Sequence, residues 1–93
     1  HWAAIVITGP RARDTLAPLL DGVDISDAAL PHMAMRNATL AGGIAARIYR
    51  ISFTGELSYE VHVPARHGLA AWQALHAAGE RWSRAGGRAM GRR

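Results

Sequence analysis

The segment SFTGELSYEVHVP (residues 52–64) constrains the fold of this chain more than any other. After its Thr-Gly pair, apolar and polar residues alternate one by one. Such alternation is typical of a β-strand with one buried face, because successive side chains point to opposite sides of a sheet. One side would carry Leu57, Tyr59, Val61 and Val63, and the other Ser58, Glu60 and His62. We therefore predict a strand that holds a carboxylate, Glu60, on the face away from the core.

The remaining segments supply the other layers of such a fold. WAAIVITGP (2–10) is a short β-branched run that predicts a buried strand, and PRARDTLAPLL (10–20) has helical spacing of its apolar residues. Two further strands are expected in residues 33–41 and 43–52, joined at Gly42-Gly43. A second helix follows Pro64, and we expect its apolar stripe to contain Leu69, Trp72, Leu75 and Ala78 or Gly79.

This order, β-α-β-β-β-α, predicts the α+β class, an antiparallel sheet with its helices packed on one face. The nearest common template is the ferredoxin-like unit, which would need one more strand after the last helix. The sequence shows no such strand. The final residues, 83–93, are rich in Arg and Gly, and we expect them to be disordered or non-native. Residues 1–82 would form one partial domain, and because the chain starts at His we expect a longer parent protein.

The charge distribution bears on the class of partner. The net charge is +4, yet residues 1–80 carry six Arg and seven acidic residues, a net charge of −1. The excess positive charge lies in the tail, which offers no stacking aromatic beyond Trp82 and no recognition helix, so nucleic-acid binding is disfavoured. No apolar run reaches the roughly 18–20 residues that cross a bilayer. The absence of cysteine fits a reducing compartment, and we expect a cytoplasmic protein.

Glu60 is the main candidate for a chemical role. The histidines lack the spacing of a metal site, since His62 and His67 are separated by Pro64 with no third ligand nearby, and no catalytic residue is expected in this segment. The face that carries Glu60 would either be solvated or be covered by a ligand or a second domain. A carboxylate has two acceptor oxygens, which suit the paired N–H donors of a pterin, a guanine or a guanidinium group. The pattern alone leaves these alternatives open.

A resemblance to a known family distinguishes between them. FTGELSYEVHVP resembles the motif Tyr-Thr-Gly-Glu-x-Gly-Phe-Glu-(Ile/Val)-x-Val-Pro of the glycine-cleavage T-protein (aminomethyltransferase) family. AAIVITGPRARDTLAPLL resembles the strand and Gly-Pro-(Lys/Arg)-(Ala/Ser)-Arg-x-x-Leu helix that precede the motif in that family. Over roughly residues 2–82 the sequence is similar to the C-terminal, T-protein-like part of the alpha subunits of heterotetrameric sarcosine oxidases.

The resemblance implies a tetrahydrofolate site. The second Glu of the motif binds the pterin in the family, and it falls on Glu60. The motif Tyr falls on Phe53, which keeps a packing surface but has no hydroxyl, and Glu56 is a further ligand-contact candidate. The family's catalytic Asp lies upstream of this segment, and the pterin-site Arg pattern expected downstream is broken here. The FAD, FMN and NAD sites of sarcosine oxidase would also lie outside it.

The expected function is therefore that of a fragment of a tetrahydrofolate-binding domain. In a sarcosine oxidase, such a domain would capture the one-carbon unit from sarcosine demethylation as 5,10-methylenetetrahydrofolate. The alternatives are an aminomethyltransferase or a dimethylglycine-dehydrogenase-like folate domain, and a non-catalytic module that docks onto other domains or subunits or forms a homodimer. The parent would be an enzyme, and the fragment alone is expected to be inactive.

Overall fold

The structure, a computed structural model, describes residues 1–26, 28–31, 33–51, 57–84 and 91–92. The strands in chain order are β1 (Trp2–Thr8), β2 (Leu20–Asp21), β3 (Met35–Leu40), β4 (Ile44–Arg50), β5 (Ser58–Pro64) and β6 (Gly91–Arg92). The helices are α1 (Ala12–Leu16), extended by a 3₁₀ turn at Ala17–Leu19, and α2 (Gly68–Arg84), preceded by a 3₁₀ turn at Ala65–His67.

The strands form one antiparallel sheet in the order β2-β3-β4-β5-β1-β6, which confirms the predicted α+β class. α1 lies between β1 and β2 in the chain, and these two strands are separated in the sheet by β3, β4 and β5. The two-residue β6 pairs with β1 through Ile5 and Val6. The sequence pattern did not predict β6, because backbone pairing over two residues needs no apolar side chains.

One face of the sheet forms the hydrophobic core with both helices. The alternation predicted for β5 is confirmed here, since Tyr59, Val61 and Val63 are fully buried. They pack with the inward residues of the neighbouring strands and with residues of α1 and α2, namely Ile5, Ile7, Ala46, Ile48, Ala12, Leu16, Ala71 and Leu75. Burial of a side chain of this size contributes about 1.5–3 kcal/mol. This face therefore holds the fold together.

The buried stripe of α2 differs from the predicted one. Gly68, Ala71 and Leu75 face the core, whereas Leu69 is 59% exposed, so its assignment to the stripe was wrong. The physical reason is close packing at the start of the helix. A Cβ atom on Gly68 would lie 3.0 Å from the Cβ atom of Ala3 on β1. The helix therefore approaches the sheet through small residues, and this rotates Leu69 toward solvent.

The β3–β4 hairpin turns at the predicted glycines. Gly42 and Gly43 have φ angles of 86° and 83°, a left-handed region that other residues enter at a cost of about 1–2 kcal/mol. The amide of Gly43 donates to the carbonyl of Leu40 at 3.0 Å and closes the turn. This turn sets the β3–β4 register, in which Arg47 lies opposite Asn37 and Tyr49 opposite Met35.

Side chains from α1, β4 and β5 attach the segment between β2 and β3 to the core. The Tyr59 hydroxyl donates to the carbonyl of Ile25 at 3.0 Å, and Arg13 Nε lies 3.0 Å from that hydroxyl and 3.1 Å from the same carbonyl. Arg50 donates to the carbonyl of Leu30 at 3.2 Å. These bonds satisfy backbone carbonyls that are not paired with any strand. A buried carbonyl without a hydrogen bond would destabilise the fold.

Candidate functional site

The second face of the sheet is formed by the residues that alternate with the core residues. We call this surface the open face, because neither helix in the described part of the chain packs on it. The strand register places on it Trp2, Ala4, Val6 and Thr8 of β1, Arg47 and Tyr49 of β4, and Ser58, Glu60 and His62 of β5. β5 runs through the middle of this group, so its side chains are flanked on both sides.

Glu60 and His62 form a close pair at the centre of the open face. They are two residues apart on β5, and therefore point to the same side of the sheet. His62 Nε2 lies 2.5 Å from Glu60 Oε1. The carboxylate can only accept, so Nε2 carries the proton and donates it to the bond. The Glu60 side chain is 16% exposed and that of His62 is 26% exposed. Both side chains are therefore mostly shielded from water.

Tyr49 brings an aromatic ring to the same point from the neighbouring strand. In the β4–β5 register Tyr49 lies directly across from Glu60. Its ring centroid lies 4.7 Å from that of His62, with the two ring planes inclined at 52°. Tilted ring pairs at this distance are favourable and limit ring rotation. Tyr49 thus shields one side of the Glu60–His62 pair.

A cation and an aromatic ring continue the open face along the strands. Arg47 lies across from His62, and its guanidinium carbon sits 4.4 Å from the centroid of the Trp2 ring. This cation–π contact holds an exposed Arg over a Trp that is 48% exposed. At the opposite end, the hydroxyls of Thr8 and Ser58 lie 3.0 Å apart. The open face therefore changes from hydroxyl groups, through a carboxylate and imidazole, to a cation on an aromatic ring.

This arrangement offers contacts that a planar polar ligand could use. A held carboxylate accepts hydrogen bonds from N–H donors, and the flanking rings offer flat surfaces for a planar ligand. Among the described residues, no group of three His, Asp or Glu side chains is close enough to hold a metal ion. The helices in the described ranges also include none long and apolar enough to cross a membrane.

The structure locates some of the sequence-based site residues and leaves others outside its range. Glu60 lies on the open face, away from the helices, as its position in the alternation predicted. Phe53 and Glu56 fall outside the described residues. Sequence reasoning placed His62 on the face of Glu60 but gave it no role, although a spacing of two along a strand indicates that such side chains can meet. Tyr49 was missed because only the β4–β5 register brings it there.

Comparison with known proteins finds one matching family and relatives with different names. The model of the GCVT N-terminal domain matches residues 1–93. Over 81 residues the chain is 46% identical to the sarcosine oxidase subunit alpha of Corynebacterium sp. (strain P-1), covering 87% of this chain and 8% of that subunit. The subunit of the same name from Rhizobium meliloti (strain 1021) is 46% identical over 86% of this chain, again 8% of its own length.

A relative with a different name matches at lower identity. The aminomethyltransferase of Symbiobacterium thermophilum is 35% identical over 78 residues, covering 84% of this chain and 20% of that protein. The chain thus spans about a tenth to a fifth of the curated relatives it matches. The chain is similar over most of its length both to the sarcosine oxidase alpha subunits and to the aminomethyltransferase.

Proposed function

This chain belongs to the GCVT N-terminal domain family, and on that premise we propose that it is part of a tetrahydrofolate-binding domain in which Glu60 anchors the pterin. The resemblance of FTGELSYEVHVP to the T-protein motif supports the proposal, as does the similarity to an aminomethyltransferase. The observation that carries it is the position of Glu60. Its carboxylate lies on the open face among rings and polar groups rather than in the aliphatic core.

The chemistry of a pterin edge matches a carboxylate in this setting. The ring N–H and the exocyclic amine form two adjacent donors, and a carboxylate accepts two parallel hydrogen bonds. The bond from His62 uses one of the about four acceptor positions of a carboxylate. The low exposure of Glu60 weakens competition from water, which strengthens each bond. Tyr49 and His62 would border the ring.

We further propose that the parent protein is a sarcosine oxidase alpha subunit. Proteins of that name share 46% identity with this chain. There the domain would hold tetrahydrofolate beside the one-carbon unit released by sarcosine demethylation, so that 5,10-methylenetetrahydrofolate forms. The contribution of this segment would be positioning, which lowers the entropic cost of bringing the reactants together. The flavin and dinucleotide cofactors, the catalytic acid and the other subunits would lie outside it, and the expected location is the cytoplasm.

An aminomethyltransferase is the second candidate, favoured by the 35% identity to a protein of that name. The two candidates share the same pterin anchor and differ in the amine that supplies the one-carbon unit. A dimethylglycine-dehydrogenase-like folate domain differs from them in the same way. A docking role for the open face, including self-association of this chain, stays a prediction. The exposed Trp2 and Met35 on that face are consistent with it.

The test is calorimetric titration of 5-formyltetrahydrofolate into the full-length protein that carries this sequence. Glu60→Gln replaces one acceptor oxygen with an amide NH2 group, a donor that opposes the ligand's own donors. Losing a hydrogen bond to a charged group costs about 1.5–3 kcal/mol, which corresponds to roughly 10- to 150-fold weaker binding. Glu80→Gln is the matched control, since Glu80 lies on α2 on the other side of the sheet, paired with His76. Equal affinity for wild type and Glu60→Gln would remove Glu60 from the site.

A further inference from the structure

We propose that His62 is a positioning residue that holds the Glu60 carboxylate in the orientation a pterin requires. This inference rests on the proposed folate function and goes beyond it, because it assigns a role to a residue at a position that the motif leaves unspecified. Two observations carry it. His62 Nε2 donates to Glu60 Oε1 at 2.5 Å, and the His62 ring packs against Tyr49.

The hydrogen bond from His62 restricts rotation of the Glu60 side chain. A glutamate has three rotatable bonds, and a ligand that binds a freely rotating carboxylate must order it first. A donor on the same strand, two residues away, orders the carboxylate before the ligand arrives. Such preorganisation increases affinity without adding a contact to the ligand. His62 is well placed for this role, because its fixed position on β5 defines the direction from which Oε1 is held.

His62 can orient the Glu60 carboxylate only if the His62 ring is itself fixed in position. Tyr49 supplies that support, since its ring lies 4.7 Å from the His62 ring and the two strands are paired at this point. Arg47, directly across from His62, is engaged with the Trp2 ring at 4.4 Å. The order of contacts is therefore β4 ring, β5 imidazole, β5 carboxylate. Each member is fixed by backbone pairing rather than by a loop.

Helix α2 carries a second His–Glu pair that serves as a comparison. On α2, His76 Nδ1 lies 3.1 Å from Glu80 Oε1, and the His76 ring stacks on Trp72 at 4.6 Å. This pair joins the same two residue types, through Nδ1 rather than Nε2, and also has an aromatic neighbour. It is about half exposed and lies on the helical side of the sheet. An effect on ligand binding that arises from losing any His–Glu bond should therefore appear at this pair as well.

The experiment compares two substitutions at His62. His62→Phe keeps a flat ring against Tyr49 and removes the donor, whereas His62→Gln keeps an N–H donor of similar reach. In calorimetric titration of the full-length protein with 5-formyltetrahydrofolate, His62→Phe should weaken binding about 10-fold. His62→Gln should stay within about threefold of wild type, and so should the control His76→Phe. Thermal melting of each variant shows that the differences do not arise from unfolding.

A double-mutant cycle separates positioning from direct contact. If His62 acts through Glu60, then adding His62→Phe to Glu60→Gln should change affinity by less than about twofold. Multiplying losses would mean that His62 touches the ligand itself and would overturn the positioning role. The role would also fail if Glu60→Gln weakens binding while His62→Phe does not, and the folate function would then stand alone. No effect of Glu60→Gln would overturn both.

Discussion

Replacing Tyr59 with Phe tests the assignment of the two sheet faces, on which the position of Glu60 depends. Tyr59 is fully buried, and its hydroxyl bonds to Arg13 Nε and to the Ile25 carbonyl, each at 3.0 Å. A bond to a charged group contributes about 1.5–3 kcal/mol and a neutral bond about 0.5–1.5 kcal/mol. Arg13 and the Ile25 carbonyl keep their own bond at 3.1 Å, so neither loses every partner. We therefore expect Tyr59→Phe to lower the free energy of unfolding by about 2 kcal/mol.

Thermal unfolding followed by circular dichroism measures this loss. In a chain of this size, 1 kcal/mol corresponds to roughly 4–8 °C in Tm, so Tyr59→Phe should lower Tm by about 8–16 °C. Tyr49→Phe makes the same chemical change on the open face, where the ring is only partly buried, and should alter stability by less than about 0.5 kcal/mol. Equal losses from the two substitutions, or a larger one from Tyr49→Phe, would refute the face assignment. The placement of Glu60 on the open face would then also be wrong.

Two further substitutions test the packing and the loop. Gly68→Val places side-chain atoms where a Cβ already comes within 3.0 Å of the Ala3 Cβ, and should destabilise the fold by about 1–3 kcal/mol in urea denaturation. Unchanged stability would contradict the close approach of α2 to β1. The Ser26 amide lies 2.9 Å from Asp24 Oδ1 and lowers the pKa of Asp24. The ionised Asp24 therefore stabilises the fold above its unfolded-state pKa. This stabilisation is lost as the pH falls through the lower folded-state pKa. Asp24→Asn should flatten the dependence of Tm on acidic pH, and an unchanged dependence would remove Asp24 from that effect.

Much of the fold could be predicted because its signals are local. The alternation in residues 57–63 assigned the faces of β5, and the Gly42-Gly43 pair located the hairpin. Both depend on the geometry of adjacent residues, which a sequence shows directly. The prediction of the buried stripe of α2 was wrong because that stripe depends on contacts between layers rather than on adjacent residues. Hydrophobicity favours Leu69 as a core residue, but the close contact of Gly68 with Ala3 is a property of the assembled layers.

The candidate site was predictable only in part. The position of Glu60 on the face away from the helices followed from alternation, and its link to a pterin came from the family motif rather than from physics. The pairing with His62 needed only the two-residue spacing, yet that spacing does not show which solvated side chains will actually bond. Tyr49 required the register between β4 and β5, which is set by the hairpin and by packing together. Contacts across strands are therefore the part that sequence reading misses.

The structure of β5 leads to a general expectation for this segment. Tyr59, Val61 and Val63 pack in the core, whereas Glu60 and His62 bond to each other on the open face. Because the side-chain period of a strand is two, a substitution on one face leaves the other face in register. Changes at the odd positions should therefore act on the free energy of unfolding, and changes at Glu60 and His62 on ligand affinity. A strand built this way lets the open face vary in sequence without loss of the fold that supports it.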